Sequence, residues 1–262
     1  MESDENLMVK IETILHDTER INKSKHPDSK TSEFLDAAEN GDLSTVTNLL
    51  QKNRDLLNCE TPYGFTGLHY SAMKGHNDIV KTLIENGVDV NMTGRGTVAG
   101  KVSNSALIFS AYYGHESTVK LLIDSGADMT HQNKRGNSAL HDAANKGHRG
   151  VVRILLDHGI NVNLQNQLYR TALIIAAKQG HTDIVADLIE AGADLMCEDI
   201  SKHNALHFAA LQGHDDIVKT LIEHKIDVNK QEYGDKTAFE LALLSGNFSA
   251  AKLLYDAKGR VQ

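Results

Sequence analysis

The chain is 262 residues long and has no tryptophan, two prolines (Pro27 and Pro62) and two cysteines (Cys59 and Cys197). Two cysteines cannot build a disulfide scaffold and are too few for a zinc site alone. No apolar run approaches the roughly 18 residues needed to cross a bilayer. The first ten residues, MESDENLMVK, are acidic, and no apolar core with a cleavage-like end comes after them. A Sec-type secretory signal is therefore not expected, and the expected setting is intracellular, cytoplasmic or nuclear. Aromatic residues make up only 5% and charged residues 24%. The apolar share of 40% is a little below the globular norm, yet it is enough to argue against a disordered chain. Acidic residues outnumber basic ones, 35 to 27, for a net charge of −8.

Histidine is the exception to this scarcity, at 14 residues. Five belong to Gly-His pairs at 75–76, 114–115, 147–148, 180–181 and 213–214. The pairs are 39, 33, 33 and 33 residues apart, the mark of an internal repeat. Upstream of each pair stands a second block: TGLHYSA, SALIFSA, SALHDAA, TALIIAA and NALHFAA. Downstream stands a third, such as IVKTLIENGVDVN and VVRILLDHGINVN. Degenerate units open and close the series, FLDAAENGDLSTVTNLLQKN and TAFELALLSGNFSAAKLLYDA. The expected boundaries are 33–65, 66–104, 105–137, 138–170, 171–203, 204–236 and 237–262.

Each unit can be read physically. Thr66, Ser105, Ser138, Thr171, Asn204 and Thr237 are good helix N-caps. A short helix rich in Ala comes next, and the Gly before the His ends it. A second helix carries one apolar stripe in I-V-x-x-L-I spacing. Such a unit cannot bury its apolar face alone and must stack on its neighbours.

With these blocks in view, the chain resembles the ankyrin-repeat family, whose units run 33 residues and carry a T-P-L-H-x-A block. The resemblance implies an all-α solenoid: helix-turn-helix repeats with β-turn fingers, about seven in number, including two capping repeats. The departures are mild. Ala or Gly replaces Pro after each cap, Ile108 and Ile174 stand where the family has His, and Asp42 and Asn247 replace the Gly-His histidine in the end units. The resemblance also implies that His69, His141 and His207, like the Gly-His histidines, serve the backbone.

Three sequence features suggest chemistry without supporting it. His203 and His207 have metal-ligand spacing, but His207 is already in a structural block and no H-E-x-x-H pattern exists. Gly94–Lys101 has the wrong glycine spacing for a phosphate loop and lacks Ser or Thr after the Lys. No G-x-S-x-G elbow is present, and Asn91-Met-Thr and Asn247-Phe-Ser match glycosylation sequons that an intracellular chain would leave bare. No enzyme activity, cofactor or metal is expected.

In ankyrin proteins the binding face is concave, built from turn tips and the exposed side of each first helix. Transferred to each unit, it comprises the first, third and fourth residues before the cap and the seventh and eighth after it. Those 30 positions hold eight Lys or Arg and no Asp or Glu. The expected partner groove contains Tyr63, Phe65, Met73, Lys74, Lys101, Tyr112, Tyr113, Lys134, Arg135, Lys146, Arg170, Lys178, His203, Leu211, Tyr233 and Lys236. A basic trough with aromatic anchors suits an acidic or phosphorylated protein segment. The expected role is an adaptor, scaffold or inhibitor that is monomeric alone and binds another protein. The alternatives are a regulatory subunit of an enzyme or a pathogen effector directed at a host protein. Nucleic acid is disfavoured by the net charge, and no membrane partner is expected.

Two segments lie outside the regular repeat. Residues 1–32 are expected to form an amphipathic helix and a polar linker: Leu7, Met8, Ile11, Ile14, Leu15 and Ile21 fall on one arc of about 140°. The helix would cap the first repeat or bind a partner helix. The second unit carries six extra residues within 92–104, either a tolerated loop or a finger that closes on the ligand.

Overall fold

The computed structural model of the chain describes residues 29–61, 64–94 and 103–258. The expected helix over 4–22 and most of the 92–104 insert lie outside the described residues. Fourteen α-helices fall in seven pairs among the described residues. The pairs are α1 (Ser29–Asn40) and α2 (Leu43–Lys52), α3 (Gly67–Lys74) and α4 (Asn77–Glu85), α5 (Ala106–Tyr113) and α6 (Glu116–Asp124), and α7 (Ala139–Lys146) and α8 (Arg149–Asp157). They continue with α9 (Ala172–Gln179) and α10 (Thr182–Glu190), α11 (Ala205–Gln212) and α12 (Asp215–Glu223), and α13 (Ala238–Leu244) and α14 (Phe248–Lys258). A short 3-10 turn, Arg54–Asn58, comes after α2 and buries Leu56 and Leu57. No helix among the described residues is long and apolar enough to cross a membrane.

α1 begins at Ser29, inside the segment the sequence assigned to the linker. Its polar first turn precedes Phe34, the first fully buried side chain, so an extra turn carries no apolar signature to announce it.

The architecture is an all-α solenoid in which first helices pack on first helices and second helices on second helices. Its core is a ladder of like residues. Leu68, Leu107, Leu140, Leu173 and Leu206 are buried one above another, each with paired small residues that let the next helix approach closely.

The caps work as the sequence suggests, with a refinement. Thr66, Ser138 and Asn204 each donate their backbone N–H to Nδ1 of a histidine three residues on: His69 (3.1 Å), His141 (3.1 Å) and His207 (3.2 Å). Because Nδ1 accepts, the proton sits on Nε2, which donates to the carbonyls of Met92 (3.1 Å), Arg170 (3.0 Å) and Lys230 (3.0 Å). The histidine thus plays the Glu of a capping box and also pins the next turn. Glu240 does the first job in the last unit, accepting from the Thr237 N–H at 2.7 Å. Ile108 and Ile174 cannot, and there the Ser105 and Thr171 hydroxyls accept the Ile N–H groups alone.

The Gly-His pair couples neighbouring units. His148 donates from Nε2 to the Tyr112 carbonyl at 2.9 Å and lies directly over Gly114, which has a φ of +79°. A Cβ at Gly114 would sit 2.6 Å from that ring. The same bond joins His76 to Glu39, His115 to Met73, His181 to Asn145 and His214 to Lys178. Asn247 takes over in the last unit, donating from Nδ2 to the carbonyls of Ala210 (3.0 Å) and Leu211 (2.9 Å).

Candidate recognition face

The turns before Ser138, Thr171 and Asn204 are each folded by one polar side chain five residues ahead of the cap. Asn133 Oδ1 accepts from the N–H groups of Arg135 (2.9 Å) and Asn137 (3.1 Å). Asn166 Oδ1 does the same for Leu168 and Arg170, and Asp199 Oδ1 for Ser201 and His203. This is the Asx-turn logic of Asn and Asp in tight turns. Successive tips are then tied together: Gln167 N–H to the Arg135 carbonyl, Ile200 N–H to that of Leu168 and Tyr233 N–H to that of Ser201. Side chains add a second tie, Asn133 to Asn104 and Asn166 to Asn137, each 2.9 Å. The tips are therefore a connected, ordered edge on which recognition residues can be held.

The structure corrects several of the expected groove residues. Phe65, Met73 and Tyr112 are buried, not displayed. Phe65 stands edge-on to His69, Tyr70 and Phe109, where three rings close around it. A large apolar side chain at these positions gains more by folding onto the stack than by facing water. Tyr112 keeps one face under the Lys146 ammonium, 4.6 Å from the ring centre, and Tyr113, half-buried, meets its edge. Tyr63 and Lys101 lie outside the described residues.

The charges also differ from the composition count. Arg170 is not an open cation: its Nε and Nη2 both reach Asp199 Oδ2 at 3.1 Å, and its guanidinium lies over the Phe208 ring. Asp199 sits outside the positions transferred from the family, and so the count missed it. A polar residue recurring five before the caps Thr66, Ser138, Thr171, Asn204 and Thr237 was the signal that would have found it. Burial pushes the Asp199 carboxyl up, but hydrogen bonds from His203, Ser201 and Arg170 outweigh it and hold the group at about 2. His203 lies 3.6 Å from Asp199 and against Phe208, a structural neighbour of both. Lys74 is paired with Glu39 at 3.3 Å.

The remaining positions form the accessible face. Lys134 is exposed, and Arg135, Lys146, Lys178, Leu211 and Lys236 are half-buried. Lys178 extends over the Phe208 ring at 5.8 Å, as Lys146 does over Tyr112, so each ammonium is held at the surface by an aromatic floor. Tyr233 is 67% exposed, with Lys202 over its ring, and Tyr169 and Ile200 are each 55% exposed. Tyr169, Lys202 and Asp235 hold positive φ of 59°, 60° and 57° at the tip position where Gly64 and Gly136 stand in other units. Asp142 lies on the same side but is buried, with Oδ1 accepting from Asn137 Nδ2 at 2.9 Å. No group of three or more metal-ligating side chains occurs among the described residues.

Comparison with known proteins agrees with this architecture. A family model described as ankyrin repeats matches in three copies, over residues 34–133, 107–199 and 173–262. The E3 ubiquitin-protein ligase XBAT32 of Arabidopsis thaliana is 43% identical over 61 residues, 22% of this chain and 12% of that protein. The 2-5A-dependent ribonuclease of Mus musculus is 38% identical over 58 residues, 22% of this chain and 8% of that protein. The matched segments are about a tenth of those relatives' length, so the likeness concerns the repeats and not the relatives' activities.

Proposed function

The chain belongs to the ankyrin-repeat family, and on that premise we propose that it is a non-enzymatic recognition module that holds an acidic segment of another protein along its first-helix and turn-tip face. One observation carries this reading. Lys134, Lys146 and Lys178 come from adjacent units of the face, two of them held over aromatic rings, and the carboxylates nearby, Asp142 and Asp199, are buried and already hydrogen-bonded. The positions of this face are thus richer in basic residues than the chain as a whole, which carries −8. An adaptor, scaffold or inhibitor would use such a face in the same way.

The test is a salt series on the partner captured by the intact chain. Affinity should fall at least tenfold between low salt and about 0.5 M, a loss of about 1.4 kcal/mol. Affinity that does not move with salt would overturn the cationic reading.

A further inference from the structure

We propose that the C-terminal end of the stack binds a second copy of this chain in a two-fold pair, an interaction separate from the recognition face. The observation is a set of apolar side chains on the last unit. Among the described residues, three of the nine exposed large apolar side chains stand at this end, Leu243 (43%), Phe248 (71%) and Tyr255 (66%), while Leu244 (70%) stands at a position of the recognition face.

Repeat equivalence places most of them on the end of the stack. Phe239 occupies the position of Leu68, Leu107, Leu140, Leu173 and Leu206, which are fully buried within the stack, but is itself only half-buried. It meets Tyr255 at 6.2 Å between ring centres. Phe248 occupies the position of Asn77 and Arg149, whose side chains reach Thr118 and Asp187 in the next unit. Gly246, matching the glycines covered by a histidine of the next unit, has nothing within 4 Å. The α13–α14 unit thus presents an interface of the kind that each earlier unit buries.

Two occupants fit this end poorly. A further unit of the regular kind would meet Leu243, which stands where Ala72, Ala111, Ala144, Ala177 and Ala210 allow close approach. The N-terminal end of another copy would lack the docking histidine. Asp42 takes its place, with its carboxylate already bound to Ser44 and Thr45.

Charge favours the same end of a second copy. Lys252 and Asp256 occupy the positions of Arg153 and Asp124, which face Asp187 (3.8 Å) and His158 (3.7 Å) of the next units. Lys252 and Asp256 therefore rim the apolar patch with opposite signs, four residues apart on α14. Antiparallel packing of α14 on its copy about Leu254 sets Lys252 of each against Asp256 of the other. Isologous pairs of this type are the commonest oligomers. This proposal departs from the sequence expectation of a chain that is monomeric alone.

Sedimentation velocity on the full chain across about 1–200 µM provides the test, with melting curves confirming that each variant is folded. The wild-type chain should pass from monomer to dimer, and a monomer throughout would overturn the proposal. Phe248→Ser with Tyr255→Ser should weaken the dimer at least tenfold, and an unchanged dimer would place the interface elsewhere. Lys252→Asp and Asp256→Lys should each weaken it, and the double variant should restore it. Failure of that rescue would overturn the two-fold arrangement. Lys134→Glu with Lys178→Glu should leave the dimer intact, and its loss would mean that the recognition face, not the end, joins the copies.

Discussion

Gly114→Ala and Gly126→Ala look alike in sequence and differ in structure. Both glycines hold positive φ, +79° and +88°, so an alanine at either pays for left-handed backbone, about 1–2 kcal/mol. Gly126 has nothing within 4 Å of the added Cβ, and that is its whole cost. At Gly114 the Cβ would lie 2.6 Å from His148 Nδ1 and 2.7 Å from Cε1, closer than real contacts allow. The ring must move, and its 2.9 Å bond to the Tyr112 carbonyl goes with it. Leaving those groups unpaired adds about 1–3 kcal/mol. Gly114→Ala should therefore cost about 2–5 kcal/mol against about 1–2 kcal/mol for Gly126→Ala. Urea unfolding monitored by circular dichroism measures both. The excess should vanish in a His148→Ala background, giving a coupling of about 1–3 kcal/mol in a double-mutant cycle. Equal costs for the two glycines, or no coupling to His148, would refute the claim that Gly-His is a lock between units.

Burial holds His69 and His141 neutral with pKa lowered to about 4 from 6.5. On acidification the unfolded chain takes up these protons first, so their contribution is intact above pH 6.5 and is lost as pH falls towards 4, by roughly 3 kcal/mol each. Unfolding free energy that stays flat between about pH 6.5 and 5 would contradict this. Lys225, with φ +62°, stands where Gly87, Gly126, Gly159 and Gly192 end the second helix of other units, so Lys225→Gly should raise stability by about 0.5–1 kcal/mol, and a lower urea midpoint would count against it. Asn247→Ala should cost about 1–3 kcal/mol by leaving the Leu211 carbonyl unpaired and the Ala210 carbonyl with only the Gly213 N–H, Asn247→His should recover most of that, and equal melting temperatures for the two variants would remove the Asn-for-His argument.

The repeat was legible because its signals are local or periodic. Thr66, Ser138 and Asn204 announce caps, and the 33-residue recurrence of Gly-His fixes the unit. What the histidines bond was less legible, since His148 acts on a carbonyl 36 residues earlier. How deeply each expected face residue is buried was less legible. Residue type and position do not say that Tyr112 lies flat under Lys146, or that Phe65 is closed in by three rings. Arg170 counted as a free cation because its partner, Asp199, is 29 residues away and outside the transferred positions. The C-terminal end was read as a cap from Asn247, which does lock the last unit in place, while the exposure of Phe248 and Tyr255 is set by spatial neighbours that no local pattern records.

The recognition claim is tested most directly by one affinity measured on three chains: wild type, a face variant and an outer variant. The face variant is Lys134→Glu, Arg135→Glu and Lys178→Glu. The outer variant places the same three reversals on the second helices, Lys81→Glu, Lys120→Glu and Lys219→Glu, all exposed positions. Titration of the captured partner should show at least a tenfold loss, about 1.4 kcal/mol, for the face variant and little change for the outer one. Equal losses for both would mean that only net charge matters, and a loss confined to the outer variant would move recognition to the opposite side of the stack.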